Sequence, residues 1–565
     1  MSVLKLPLAV LATALGLGAC AQLPDAAQSA RPAPISAAAI AAAMPAVRQD
    51  ETALPYAGAV AARFPAPAQL PDLPSLAAGR QAYTSPQELK AWLDDAARRA
   101  AAAGSQARRL QPGQAQSGQA IEALRLSRGP GRPLVLLIGQ QHGDEPAGAE
   151  ALLLIARQLA DGPLSAVLDK VDVLLVPRAN PDGAASARRV TDNGVDMNRD
   201  HLLLRTPEAQ ALAALARTQR PLVVVDAHEH TVAGRYLQKF GAIQRNDMLL
   251  QYAMTANLPL PISQASETWF RQPIIKALAA QGMSTEWYYT NPTAPDDLRL
   301  AMGGVQPDTG RNVNGLRNAV SLLLESRGVG IGRLHLARRV QSQVVALATV
   351  LRQAALHAPE LVRLQAEADA ALAAQACTGP LVVQAAATPT RRELLMLDPA
   401  TGADKPVAVA WESALDLRVL RERPRPCGYW LAADQQAAVA TLQALGVVVQ
   451  RFAEPAPLHA QAWIERSRLE MARPDVRGSV DNGSATIQLL QVELQDSAAP
   501  ALPGSFYVSL AQPLAGLVTA AMAPDTQNSF VANRLLPTLD KARRVLALPS
   551  AAALVKLPAA VAVGL

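Results

Sequence analysis

His142 and Glu145 stand in an H-x-x-E unit, which a tight turn can fold so that both side chains face one metal ion. By itself the unit arises often by chance and equally fits a hydrogen-bonded surface histidine. A catalytic zinc site takes three protein ligands and keeps one position open, whereas structural sites close with four. His228, 83 residues beyond Glu145 (228 − 145), supplies the third ligand. His142, His201, His228 and His230 are four of the seven histidines, and all fall within residues 142–230. Glu325 ends a separate apolar run with no lysine near it in sequence; Arg327 is its alternative partner.

Such residues act together only if a scaffold brings them to one place. Short runs of strand character, Leu134–Ile138, Val171–Val176, Leu222–Val225 and Val320–Leu324, lead directly into GQQHGDE, PRANPDG, DAHEH and ESRG. Between them, Pro146–Leu159 and Thr206–Thr218 have helical length and period, and Ser85 with Glu88 opens a further helix over Pro86–Ala103. Strands alternating with helices predict an α/β fold: a mixed, mostly parallel sheet with helices on both faces. Ligands in such sheets bind beyond the carboxyl ends of the strands, where all four polar clusters lie. One long helix is expected over roughly Leu334–Ala376, followed by a separate α+β or β-rich C-terminal domain over 370–565.

At 565 residues the chain is long enough for two or three folded units, and with half its residues hydrophobic it can fill a sizeable core. Its net charge of +6 comes from scattered Lys and Arg, with no basic run interleaved with aromatics, so no nucleic-acid partner is expected. Residues 1–20 read as a secretion signal: one lysine, an apolar run too short to span a bilayer, then Leu17-Gly18-Ala19-Cys20. The small pair before Cys20 resembles a bacterial lipobox, which implies lipidation of Cys20. Ala21 then points to the periplasmic face of the outer membrane. Residues 21–110 comprise an Ala/Pro-rich tether and an N-terminal segment. The two remaining cysteines, Cys377 and Cys427, are expected to pair in an oxidising compartment.

Five motifs, in order, resemble the M14 zinc carboxypeptidase family: H-x-x-E at His142–Glu145, NPDG at Asn180–Gly183, RVTDNGVDMNRD at Arg189–Asp200, DAHE at Asp226–Glu229 and GLRNAVSLLLESRG at Gly315–Gly328. The resemblance covers about Ile121 to Leu351 and implies a catalytic domain over 111–355. It implies one zinc per chain held by His142, Glu145 and His228, with Asp196 fixing the imidazole of His142. It makes Asn198 and Arg199 the grip on a peptide's free C-terminal carboxylate and Arg189 the stabiliser of the oxyanion, in preference to adjacent Arg188. Glu325 becomes the general base that takes a proton from the attacking water.

The chain departs from that pattern where the family places a mobile tyrosine, about 22 residues before the base: no tyrosine lies between Leu298 and Glu325. Tyr288 and Tyr289 are the nearest candidates, with aromatic packing as their alternative use. Arg311, in the same stretch, can contact an acidic side chain or a second carboxylate, or stabilise a turn. His201, Glu229 and His230 are expected at the site's rim. Three functions remain in play: a periplasmic carboxypeptidase, a zinc amidase or deacylase acting on small acyl-amino acids or murein peptides, and a catalytically silent binding lipoprotein.

Overall fold

The computed structural model describes residues 58–69, 72–479 and 486–558; the signal segment, Cys20 and most of the tether lie outside them. Ser85 opens helix α1 (Pro86–Ala102) through a reciprocal pair of bonds with Glu88, as the sequence predicts. Strands β1 (Gln106–Gln114), β2 (Ala120–Ser127) and β3 (Leu134–Gly139) follow, then α2 (Pro146–Ala160), β4 (Asp172–Val176) and the short α3 (Pro181–Ser186). Helix α4 (Pro207–Gln219) starts on Thr206, whose side chain accepts from Ala209 N–H. Next come β5 (Val223–Thr231), β6 (Met248–Tyr252), β7 (Thr285–Trp287), β8 (Tyr289–Thr290), β9 (Leu300–Met302), the one-and-a-half-turn α5 (Gly310–Gly315) and β10 (Val320–Val329).

Eight of these strands form one sheet in the order β1-β2-β4-β3-β5-β10-β6-β7. Its middle four, β4-β3-β5-β10, are parallel, and antiparallel strands flank them. Period-2 alternation divides their apolar residues between two covers. Val135, Leu137, Val173 and Val225 pack with α1, α2 and the later helix α6 (Leu336–Leu356). Leu134, Leu136, Ile138 and Val224 pack with Leu212 and Leu215 of α4. Parallel strands covered on both faces must be apolar throughout, which is why they stand out in the sequence.

The long helix expected over 334–376 is instead two, α6 and α7 (Ala358–Ala374). Pro359, in the first turn of α7, explains the break: it has no N–H to donate and its ring would clash with the carbonyl four residues back, so α6 ends and His357 leaves helical geometry. The C-terminal part has its own sheet and core, and the described residues pack as one compact unit. A hairpin of β11 (Pro380–Leu397) and β12 (Asp404–Pro424) joins β9 and β8 in a four-stranded sheet, with Trp411 and Glu412 in register with Leu300 and Ala301. Seven further strands form the C-terminal sheet, including β13 (Gly428–Leu431), β14 (Gln450–Phe452) and β15 (Ala460–Ala472). Its core continues into the catalytic part through Leu202, Leu203, Val313 and Leu316. After β15 the chain makes a small two-stranded turn, β16 (Pro474–Asp475) and β17 (Gly478–Ser479), which returns to the first sheet's strand ends. Cys377 and Cys427 are disulfide-bonded, closing the loop that holds β11 and β12.

Candidate active site

The H-x-x-E turn leaves β3 and enters α2 with Glu145 N–H bonded to His142 O at 3.2 Å. The NPDG motif holds that turn. Asn180 donates to Gln141 O at 3.1 Å and accepts from Gly183 N–H at 2.9 Å. A Cβ on Gly143 would fall 1.9 Å from the Gly183 carbonyl carbon, so backbone packs directly on backbone and only glycine fits.

His228 comes from β5, and Glu325 is its register neighbour on parallel β10. The two Nδ1 atoms of His142 and His228 are 3.0 Å apart. Each is 2.8 Å from an oxygen of Glu145. One donor atom from each of the three residues lies within 4.8 Å of the others, and all three residues are buried. Two facing ring nitrogens and a buried carboxylate repel or compete for protons unless a cation sits among them, so this donor set fits a zinc ion. The far nitrogens are held too: His142 Nε2 is 3.1 Å from Asp196 and His228 Nε2 is 2.8 Å from Asp226. Carboxylates on the outer nitrogens fix tautomer and ring orientation, the usual support for metal-binding histidines. Asp226 is a supporting residue that sequence reasoning missed, although its i, i+2 spacing from His228 along a strand places both on one face.

Charge in this cluster is tightly balanced. Burial works to raise the Glu145 carboxyl, but His142 and His228 outweigh it and hold Glu145 well below the usual range. Asp196 behaves likewise, with Arg189 and His142 overcoming burial. Arg189 grips Asp196 through Nε at 3.1 Å and Nη2 at 2.9 Å, and its Nη1 is 3.2 Å from Glu145. Its rival Arg188 turns outward to Asp192. Glu325 differs from the other acids: among the described residues it forms no ion pair. Burial pushes it up to about 8, with His228 pulling down and Glu145 pushing further up.

Asn198 Nδ2 lies 3.2 Å from His228 Nε2, and its Oδ1 accepts from Gly310 N–H at 2.8 Å. Arg199 is brought to the same place, but with a partner the motifs did not disclose. Its Nε and Nη2 meet Asp475 of β16 at 3.2 and 3.4 Å, and its Nη1 donates to Asn198 O at 2.8 Å. Arg477 follows, 3.6 Å from Asp475 and 3.7 Å from Asp196. No local motif flags these residues; they lie more than 270 positions from Arg199 in sequence.

Arg311 is 3% exposed and spends one donor on Gly304 O at 2.7 Å, while its Nε has no partner. Gly303 occupies the position 22 residues before Glu325 (325 − 22). A Cβ there would meet Tyr288 Cδ1 at 2.7 Å and Arg311 Nη2 at 2.9 Å. Tyr288 thus packs over the place where the family's tyrosine would begin; Tyr289 instead lies in the core between Tyr236 and Trp411. Three residues expected at the rim are buried. Glu229 points to the opposite sheet face, where Arg339 holds it at 2.8 Å, because alternation turns it away from His228. His201 bonds to Gln141 at 2.7 Å, and burial lowers its pKa to about 4; that of His230 falls to about 3 for the same reason.

Residues 89–230 match a family profile described as zinc carboxypeptidase. Carboxypeptidase 2 of Trichophyton rubrum is 28% identical over 408 residues, 71% of this chain and 74% of that protein. Probable carboxypeptidase 2 of Arthroderma benhamiae is 33% identical over 223 residues, 39% of this chain and 42% of that protein. Among solved structures, a metallo-carboxypeptidase from Burkholderia cenocepacia superposes with a TM-score of 0.37 at 16% identity, covering 49% of this chain and 70% of the other. The zinc carboxypeptidase profile over residues 89–230 and the carboxypeptidase relatives agree with the buried His142–Glu145–His228 cluster and indicate a metallocarboxypeptidase.

Proposed function

We propose that the chain removes single residues from the free C-terminus of peptides in the periplasm, tethered through lipidated Cys20. The observation that carries the catalytic reading is the register of β5 and β10, which sets Glu325 beside His228 with no ion-pair partner among the described residues. His142, Glu145 and His228 would hold the zinc, which would supply Lewis-acid polarisation of the scissile carbonyl and acidify water. Glu325 takes the proton of the attacking water on a carboxylate oxygen and passes it to the departing amine. Its raised proton affinity suits that exchange near neutral pH. A divalent cation among the three ligands would draw it partly back down.

Arg189 sits against Glu145 and Asp196, where it meets negative charge developing on the carbonyl oxygen. Asn198 and Arg199 take the terminal carboxylate, and Arg311 takes a second carboxylate on the terminal residue. Buried, with one backbone bond and no ion pair among the described residues, Arg311 is supported as a binding group for an acidic side chain. The test is a peptide library offered with free and with amidated C-termini. Loss of single residues from the free peptides alone is expected, glutamate and aspartate first. Equal cleavage of the amides would instead favour an amidase acting on acyl-amino acids. The tether is checked by incorporation of labelled fatty acid, which Cys20→Ser should abolish.

A further inference from the structure

The segment Arg473–Arg477 belongs by sequence to the C-terminal part, yet its side chains complete the catalytic one. Arg473 is 2% exposed and donates through Nη2 to Asp308 at 2.7 Å, to Asn528 at 2.9 Å and to Arg199 O at 3.1 Å. Gln527 donates to Pro474 O at 3.0 Å, and Thr293 N–H to Arg477 O at 3.0 Å. The turn is therefore pinned from both sides, by the loop ahead of α5 and by the C-terminal core. Within it, Asp475 is 12% exposed and accepts from Arg199 along the Nε–Nη2 edge while also facing Arg477.

A guanidinium has five N–H donors. Arg199 uses three, two on Asp475 and one on Asn198 O, which leaves one proton each on Nη1 and Nη2. Those two form the outer edge, the edge that binds a carboxylate side by side. Arg199 also lines a cleft of about 500 Å³, together with Asp308, Thr309, Pro474 and Asp475. If substrate displaced Asp475 from Arg199, a buried carboxylate would lose its bidentate guanidinium partner, so simultaneous occupancy is the less costly arrangement.

We propose that Asp475 of the C-terminal part is a positioning residue for the substrate's terminal carboxylate: it clamps one edge of Arg199 so that the other edge meets the peptide. The catalytic sheet alone is then incomplete, and the C-terminal part contributes a wall of the substrate pocket. This inference rests on Arg199 being the carboxylate grip.

The experiment uses the zinc-loaded full chain and the best free peptide from the library above. Asp475→Asn should raise KM about 10- to 100-fold, the scale for removing a group that orients a ligand-binding side chain, while kcat changes less than about threefold. Asp475→Glu should recover part of the loss. Thermal unfolding confirms that each variant is folded. If Asp475→Asn does not fold, Arg477→Met loosens the same clamp and should raise KM in the same sense. The idea is overturned if KM is unchanged, or if it falls, which would make Asp475 a competitor for Arg199. Arg199→Met separates the two readings. Should it leave KM unaltered, the site assignment itself fails; a rise in KM there but not in the Asp475 variants refutes only the positioning role.

Discussion

Replacing Arg311 with methionine should remove a preference for acidic terminal residues, and its size follows from the burial of the guanidinium. Arg311 is 3% exposed, and burial draws its pKa down to about 10, with Tyr288 and Glu325 opposing that effect and Arg199 adding to it. Leaving a buried guanidinium without an ionic partner costs about 3 kcal/mol. A carboxylate seated against Arg311 recovers most of this, so a peptide ending in glutamate should exceed one ending in leucine by roughly 200-fold in kcat/KM. The assay compares acetyl-Ala-Ala-Glu with acetyl-Ala-Ala-Leu for the wild type and for Arg311→Met. The variant should bring the ratio to within a few-fold. It should not lose stability at neutral pH. A base whose folded pKa is depressed weakens the fold at every pH below that pKa, so removing its charge offsets the lost bond to Gly304. A wild type that prefers leucine, or a glutamate preference that survives in Arg311→Met, would refute the argument.

Glu325→Gln should lower kcat by about 10²- to 10⁴-fold, the worth of a positioned proton acceptor, while zinc content by elemental analysis stays near one per chain. His228→Ala should lose the zinc instead, since it removes one of three ligands; full metal retention would reassign the site. His201 and His230 are buried with pKa values lowered to about 4 and about 3, so at these two sites the unfolded chain binds more protons than the folded one below pH 6.5. Their joint contribution to stability should therefore fall by about 4 kcal/mol between pH 7 and pH 5, and His230→Gln should remove about half of that fall when its denaturant titrations at the two pH values are compared with those of the wild type. Reducing the Cys377–Cys427 bond releases a loop of 50 residues' separation and should cost about 4 kcal/mol, read as a lower denaturation midpoint.

The parallel strands and their covering helices were legible because burial on both faces demands unbroken apolar runs, and capping residues such as Ser85 and Thr206 mark where helices begin. The metal ligands were legible because each follows such a run. Local sequence was a poorer guide where a single residue overrode a pattern: Pro359 divides a segment whose composition suits one helix. It was also poor where strand alternation decided direction, as at Glu229, which turns from the metal cluster to Arg339.

By itself, then, the sequence determined the apolar strands, the three candidate metal ligands and the resemblance to zinc carboxypeptidases, because periodicity and motif spacing are local and repeat the chemistry they serve. Only the tertiary structure decided what surrounds that chemistry. Asp226 behind His228, Tyr288 over Gly303, and Asp475 on Arg199 are neighbours through folding alone. The physical reason is that ion pairs and packing depend on distance in space, and no periodicity in the chain records a contact made across 276 residues.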